Sequence, residues 1–89
     1  MDKDIENAVA EFHAIFLPKV RVRYIGEGNN RIAFFFRGRF CLSCGLSDYF
    51  DDLAFILNMH SGKTWIVEDM YPIDNGMFGW IVIYKGEYK

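Results

Sequence analysis

Two cysteines, two histidines and twelve carboxylates are the residues here whose chemistry could hold a metal, cycle between redox states or move a proton. Cys41 and Cys44 form a Cys-x-x-Cys pair. It lies between a predicted strand and a predicted helix start, where the helix dipole lowers a thiol pKa and favours dithiol redox chemistry. A thioredoxin-like fold needs further helix and strand elements after that motif, and here only a hairpin follows the next helix. As metal ligands, Cys41 and Cys44 supply half of a tetrahedral zinc set. His13 and His60 would complete it, but their spacing matches no zinc-finger pattern. His60 reads instead as a helix C-terminal residue that suits the dipole. The expectation is two small structural thiols, with no metal and no cofactor, and a thiol-redox or zinc-binding protein is the third reading of the chain.

The carboxylates fall into two groups. Glu68, Asp69 and Asp74 lie near a predicted turn, and Asp48, Asp51 and Asp52 on a predicted helix. Calcium takes roughly six to eight oxygens from a loop that wraps it, and "EDMYPIDNG" lacks that spacing. These acids are read as solvated surface charge. There is no GxSxG and no HExxH. The one GxG-like piece, "GEG", sits in a predicted hairpin turn and not between a strand and a helix, so it makes no phosphate loop. The chain is read as a non-enzyme.

Charge offers a stronger signal than any catalytic pattern. The net charge is −2, yet residues 18–40 hold Lys19, Arg21, Arg23, Arg31, Arg37 and Arg39 against Glu27 alone. Net negative charge concentrates in residues 1–17 and 41–62. Such polarity favours an electrostatically steered encounter with an oppositely charged partner.

The elements that must present these groups follow from periodicity. Ile5, Val9, Phe12 and Phe16 fall at i, i+4, i+7 and i+11, which predicts a helix over 4–16, with Ala8 and Ile15 widening the stripe. Pro18 ends it. Residues 19–25 and 31–40 alternate as two strands around "GEGNN", since Gly and Asn tolerate positive φ. A register pairing Ile25 with Arg31 puts Val20, Val22, Tyr24, Ile32, Phe34 and Phe36 on one face. Lys19, Arg21, Arg23, Phe35, Arg37 and Arg39 then take the other. A one-residue slip would bury arginine.

Residues 47–59 predict a second helix, with Ser47 as N-cap and Gly62 as stop. Its core stripe is Phe50, Leu53, Ala54 and Leu57, while Phe55 and Met59 lie well off it, as either a second contact inside the domain or an exposed apolar patch. Residues 64–71 and 77–85 read as a last hairpin, with Trp65, Val67, Ile81 and Ile83 on one face and Trp80, Val82 and Tyr84 on the other.

The expected fold is therefore α+β: a two-layer sandwich in αββαββ order, a four-stranded antiparallel sheet with two helices on one face. Its 89 residues form a single domain, 1–89. No uncharged run approaches the roughly 20 apolar residues that span a bilayer. The N-terminus does not have the pattern of a secretory signal, so a cytoplasmic setting is expected.

The binding candidates are Lys19, Arg21, Arg23, Phe35, Arg37, Arg39, Trp80 and Tyr84 on the outer sheet face, and Phe55 and Met59 on the second helix. A protein partner is the first expectation. Single-stranded RNA or DNA is the alternative, because bases neutralise phosphates and flat rings stack on unpaired bases. A homodimer through the apolar outer face is also open. It would explain why both faces of the last hairpin are greasy.

Overall fold

A computed structural model of the chain describes residues 3–38, 46–74 and 79–87. Its elements are α1 (Lys3–Phe16), β1 (Val20–Gly28), β2 (Arg31–Gly38), α2 (Leu46–Ser61), β3 (Thr64–Ile73) and β4 (Gly79–Glu87). The order is αββαββ, and the four strands form one antiparallel sheet in the spatial order β1-β2-β4-β3. Each αββ half contributes one edge strand and one central strand, so the halves meet at the β2–β4 seam. Among the described residues no helix is long and apolar enough to cross a membrane.

The stripe on α1 buries Ile5, Ala8 and Phe12, with Val9 and Phe16 packed at its margin. Ile15, expected to widen the stripe, is instead 60% exposed at the end of the helix. Helix α2 buries Phe50, Leu53, Ala54, Ile56 and Leu57. Both helices pack on the sheet face that presents Val20, Val22, Ile32, Phe34, Phe36, Val82 and Tyr84. Much of the aromatic content is used here. Phe36 meets Phe12 edge-on at 5.9 Å and Phe50 at 4.8 Å, and Phe34 meets Tyr84 at 5.8 Å. Such edge-to-face contacts add stability beyond the area they bury.

The first hairpin sorts its faces as expected but in a different register. Arg21 faces Arg37, Val22 faces Phe36 and Tyr24 faces Phe34, two residues away from the expected pairing. The shift is even, so every side chain keeps its face. The turn is tighter than expected. Asn29 and Asn30 both take positive φ, 51° and 63°, the type I′ geometry that matches strand twist. β1 absorbs the difference with a bulge between Tyr24 and Gly26.

The second hairpin overturns the expected sorting. Val67 faces Tyr84 and Trp65 faces Gly86, so Trp65 and Val67 share the helix side with Tyr84 and Val82. Ile81 and Ile83 go to the outer side, opposite Phe35 and Ala33 of β2. The pairing with β2 sets this parity, and a second bulge, between Val67 and Asp69, adjusts β3 to it.

A candidate interaction face on the open side of the sheet

Directly opposed residues on neighbouring strands share a face, so the pairings give the outer surface row by row. Arg21 and Arg37 form the first row. Arg23, Phe35, Ile81 and Tyr71 form the second, from β1 across to β3. Gly26, Ala33, Ile83 and Asp69 form the third, and Gly28, Arg31, Lys85 and Ile66 the fourth. No described helix lies on this side. The central positions Ala33, Phe35, Ile81 and Ile83 are half-buried among one another, and Arg21, Arg23 and Arg37 are exposed.

Lys19 is exposed at the entrance to β1. Arg39 lies outside the described residues, as do Cys41 and Cys44. Two expected members of the face are corrected. Tyr84 is 0% exposed on the helix side, where its hydroxyl donates to the Phe50 carbonyl at 2.8 Å. Burial drives its phenol well above the usual range, and Asp51 adds to the rise. Trp80 faces the same side, paired with Phe36 and 6.1 Å from the Phe50 ring. Ile81 and Ile83 take their places. The signal that could have found them is the β2–β4 pairing, since Phe35 needs an apolar neighbour on its own side.

The far end of the face is closed by an ion pair. The Arg31 guanidinium donates to both oxygens of Glu68, at 2.6 and 3.1 Å, reaching from β2 to β3 over β4. That hydrogen bonding raises the Arg31 pKa and lowers the Glu68 carboxyl, with Lys85 adding to the latter. Next to it, Tyr71 hydrogen-bonds Asp69, which raises its phenol pKa. Between the arginine rows and the ion pair is an open hollow of about 250 Å³, lined by Gly26, Gly28, Ile32, Ala33 and Ile83 together with Glu27 and Arg31.

The second candidate patch is on the solvent side of α2. Phe55 and Met59 are 63% and 57% exposed, as their position off the core stripe requires. Beside them Asp48, Asp51 and Asp52 are exposed. The Asp52 carboxyl is raised by desolvation first, then by repulsion from Asp48 and Asp51.

A polar cleft of about 300 Å³ lies where the start of α1, the β1–β2 turn and the end of α2 meet. Its groups serve the fold. Ser61 Oγ donates to the Leu57 carbonyl at 2.7 Å and accepts the Trp65 indole N–H at 2.9 Å. The Asn30 side chain donates to the Gly86 carbonyl, and Lys63 reaches Asn30 at 3.4 Å. The histidines are likewise engaged. His13 Nε2 accepts the Val22 N–H at 2.9 Å, and His60 Nε2 lies 3.0 Å from Glu11 Oε1. Among the described residues no three His, Cys, Asp or Glu side chains gather as a metal site would require.

No known family, curated protein or solved structure matches this chain.

Proposed function

We propose that this chain is a small non-enzymatic interaction module, regulatory or inhibitory in type, that binds an acidic protein partner through the open face of its sheet. One observation carries the reading. Among the described residues no helix covers the outer sheet face, which combines an aliphatic-aromatic centre with Arg21, Arg23 and Arg37 on one margin. Such a surface suits a buried apolar contact rimmed by charge, where the rings supply affinity and the cations steer the encounter.

Single-stranded nucleic acid is the other ligand class that cations and rings can serve. The row through the centre supports it less well. Phe35 and Tyr71 are the rings in that row, and aliphatic Ile81 stands between them. Base binding relies on successive flat surfaces.

The test is affinity capture from native lysate, with and without nuclease, using the wild-type chain and Arg21→Glu/Arg37→Glu. The expected result is a protein partner that survives nuclease and is lost with the double variant, while circular dichroism stays unchanged. Retention of the same partner by a folded double variant would remove the sheet face as the site. Capture abolished by nuclease, with affinity falling linearly in log salt, would favour nucleic acid.

A further inference from the structure

We propose that the acidic, apolar outer stripe of α2 in one copy of this chain docks on the cationic sheet face of a second copy, in a head-to-tail contact. The inference rests on the reading of that sheet face as a binding surface, and it names an occupant.

Asp48, Asp52, Phe55 and Met59 fall at i, i+4, i+7 and i+11, a single line along α2. That line runs opposite Phe50, Leu53 and Leu57, which enter the core. The solvent side of a helix in a small domain is ordinarily polar throughout. Here its N-terminal half is acidic and its C-terminal half presents two large apolar side chains, more than half exposed. The acids crowd one another: desolvation and the charges of Asp48 and Asp51 raise the Asp52 carboxyl, and an incoming cation relieves that repulsion.

The sheet face has the same two-part order. Arg21, Arg37 and Arg23 stand at one end, followed by Phe35 and then the open hollow over Gly26, Ala33 and Ile83. Along a strand, Arg37 and Ala33 are about 13 Å apart. Along α2, the midpoint of the two acids and the midpoint of Phe55 and Met59 are about 10 Å apart. A helix laid along β2 therefore brings the carboxylates to the arginines and the apolar side chains to Phe35 and the hollow. Neither Gly26 nor Gly28 has an atom within 4 Å of where a Cβ would stand, so the hollow is open to an entering side chain.

A sheet-to-sheet dimer is the other way two copies could meet, and charge disfavours it. It would bring two arginine-rich faces together. The carboxylates of the β3 margin are already engaged, Glu68 by Arg31 and Asp69 by Tyr71. The α2 stripe and the sheet face point to opposite sides of the molecule. The contact between them is heterologous, and one pairing leaves a free surface at each end.

That asymmetry gives the experiment. Arg21→Glu/Arg37→Glu disables the sheet side, and Asp52→Lys/Phe55→Ser disables the helix side. In sedimentation velocity, the wild-type chain should gain mass with concentration and lose it with added salt. Each variant alone should stay monomeric. Mixed in equal amounts, the two should form a 1:1 heterodimer that grows no further, because each retains one intact surface. If Asp52→Lys/Phe55→Ser loses its helical signal, Asp52→Lys alone serves in its place. A wild-type chain that stays monomeric at every concentration overturns the inference. So does a self-associating chain whose mixed variants remain apart. If the wild type is monomeric and Arg21→Glu/Arg37→Glu still loses a captured lysate protein, the head-to-tail contact falls and the acidic-partner reading stands.

Discussion

His13 on α1 accepts the backbone N–H of Val22 at 2.9 Å, so a helix side chain takes the place that a further strand would occupy beside β1. The bond needs a lone pair on Nε2, which assigns the ring proton to Nδ1. Burial lowers the His13 pKa below 6.5, and the nearby Arg21 charge lowers it further. A depressed folded value means that the unfolded chain binds more protons. The stabilisation is therefore complete above pH 6.5 and is lost as pH falls through the folded value. His13→Ala should cost about 1 kcal/mol at neutral and higher pH. The gap to wild type should close in mild acid, as read by urea unfolding at a series of pH values. A gap that does not change with pH would mean that His13 titrates alike in the folded and unfolded chain.

Phe34 and Phe35 are neighbours in sequence and lie on opposite sides of the sheet. Phe34→Ala opens a cavity beneath both helices and should cost about 3–5 kcal/mol. Phe35→Ala trims a half-buried ring on the open face. It should cost well under half as much and should weaken partner binding. Urea midpoints for the two variants check the first claim. Equal costs would mean that something covers the outer face.

Tyr84→Phe removes the hydrogen bond from β4 to the Phe50 carbonyl while keeping the ring that packs on Phe34. The expected loss is about 1 kcal/mol. An alkaline spectroscopic titration gives a second readout. The wild type should show one tyrosine that ionises only as the fold is lost, and the variant should not.

Gly79 has φ of 137°, and a Cβ there would press into the Phe36 carbonyl oxygen. Gly79→Ala should destabilise by at least about 1–3 kcal/mol. Gly26→Ala is the control. Its Cβ would meet nothing within 4 Å, so the change should be neutral or stabilise by up to about 1 kcal/mol. Thermal unfolding of the pair distinguishes strain at the start of β4 from a general sensitivity of the sheet to added side chains.

The first hairpin was legible because its alternation pits arginine against valine and phenylalanine. Placing Arg21 or Arg37 in the core is costly enough to fix the face of every residue. Pairing distance was not legible, since a shift by two leaves the alternation intact, and the Asn29–Asn30 turn decides it. The second hairpin has no such contrast. Trp80, Val82 and Tyr84 alternate with Ile81 and Ile83, so either parity buries apolar side chains. The choice belongs to β2, which brings Phe36 against Trp80 and Phe35 against Ile81. The core stripe of α2 was legible at Phe50, Leu53, Ala54 and Leu57, but buried Ile56 was not, and the helix starts at Leu46, before the expected cap Ser47.

The two bulges flank the same row. In β1 the irregularity falls between Tyr24 and Gly26, just before the row through Ala33 and Ile83, and in β3 it falls between Val67 and Asp69, just after it. Each spoils the regular ladder of N–H and C=O groups on an outermost strand, which is the template that another chain's strand would need. His13 occupies one of those groups on β1, and Pro72 lacks an N–H to offer on β3. Lateral growth of the sheet by strand addition is thus discouraged at both margins. A visiting chain has to come at the sheet broadside, where side chains rather than backbone decide who is admitted.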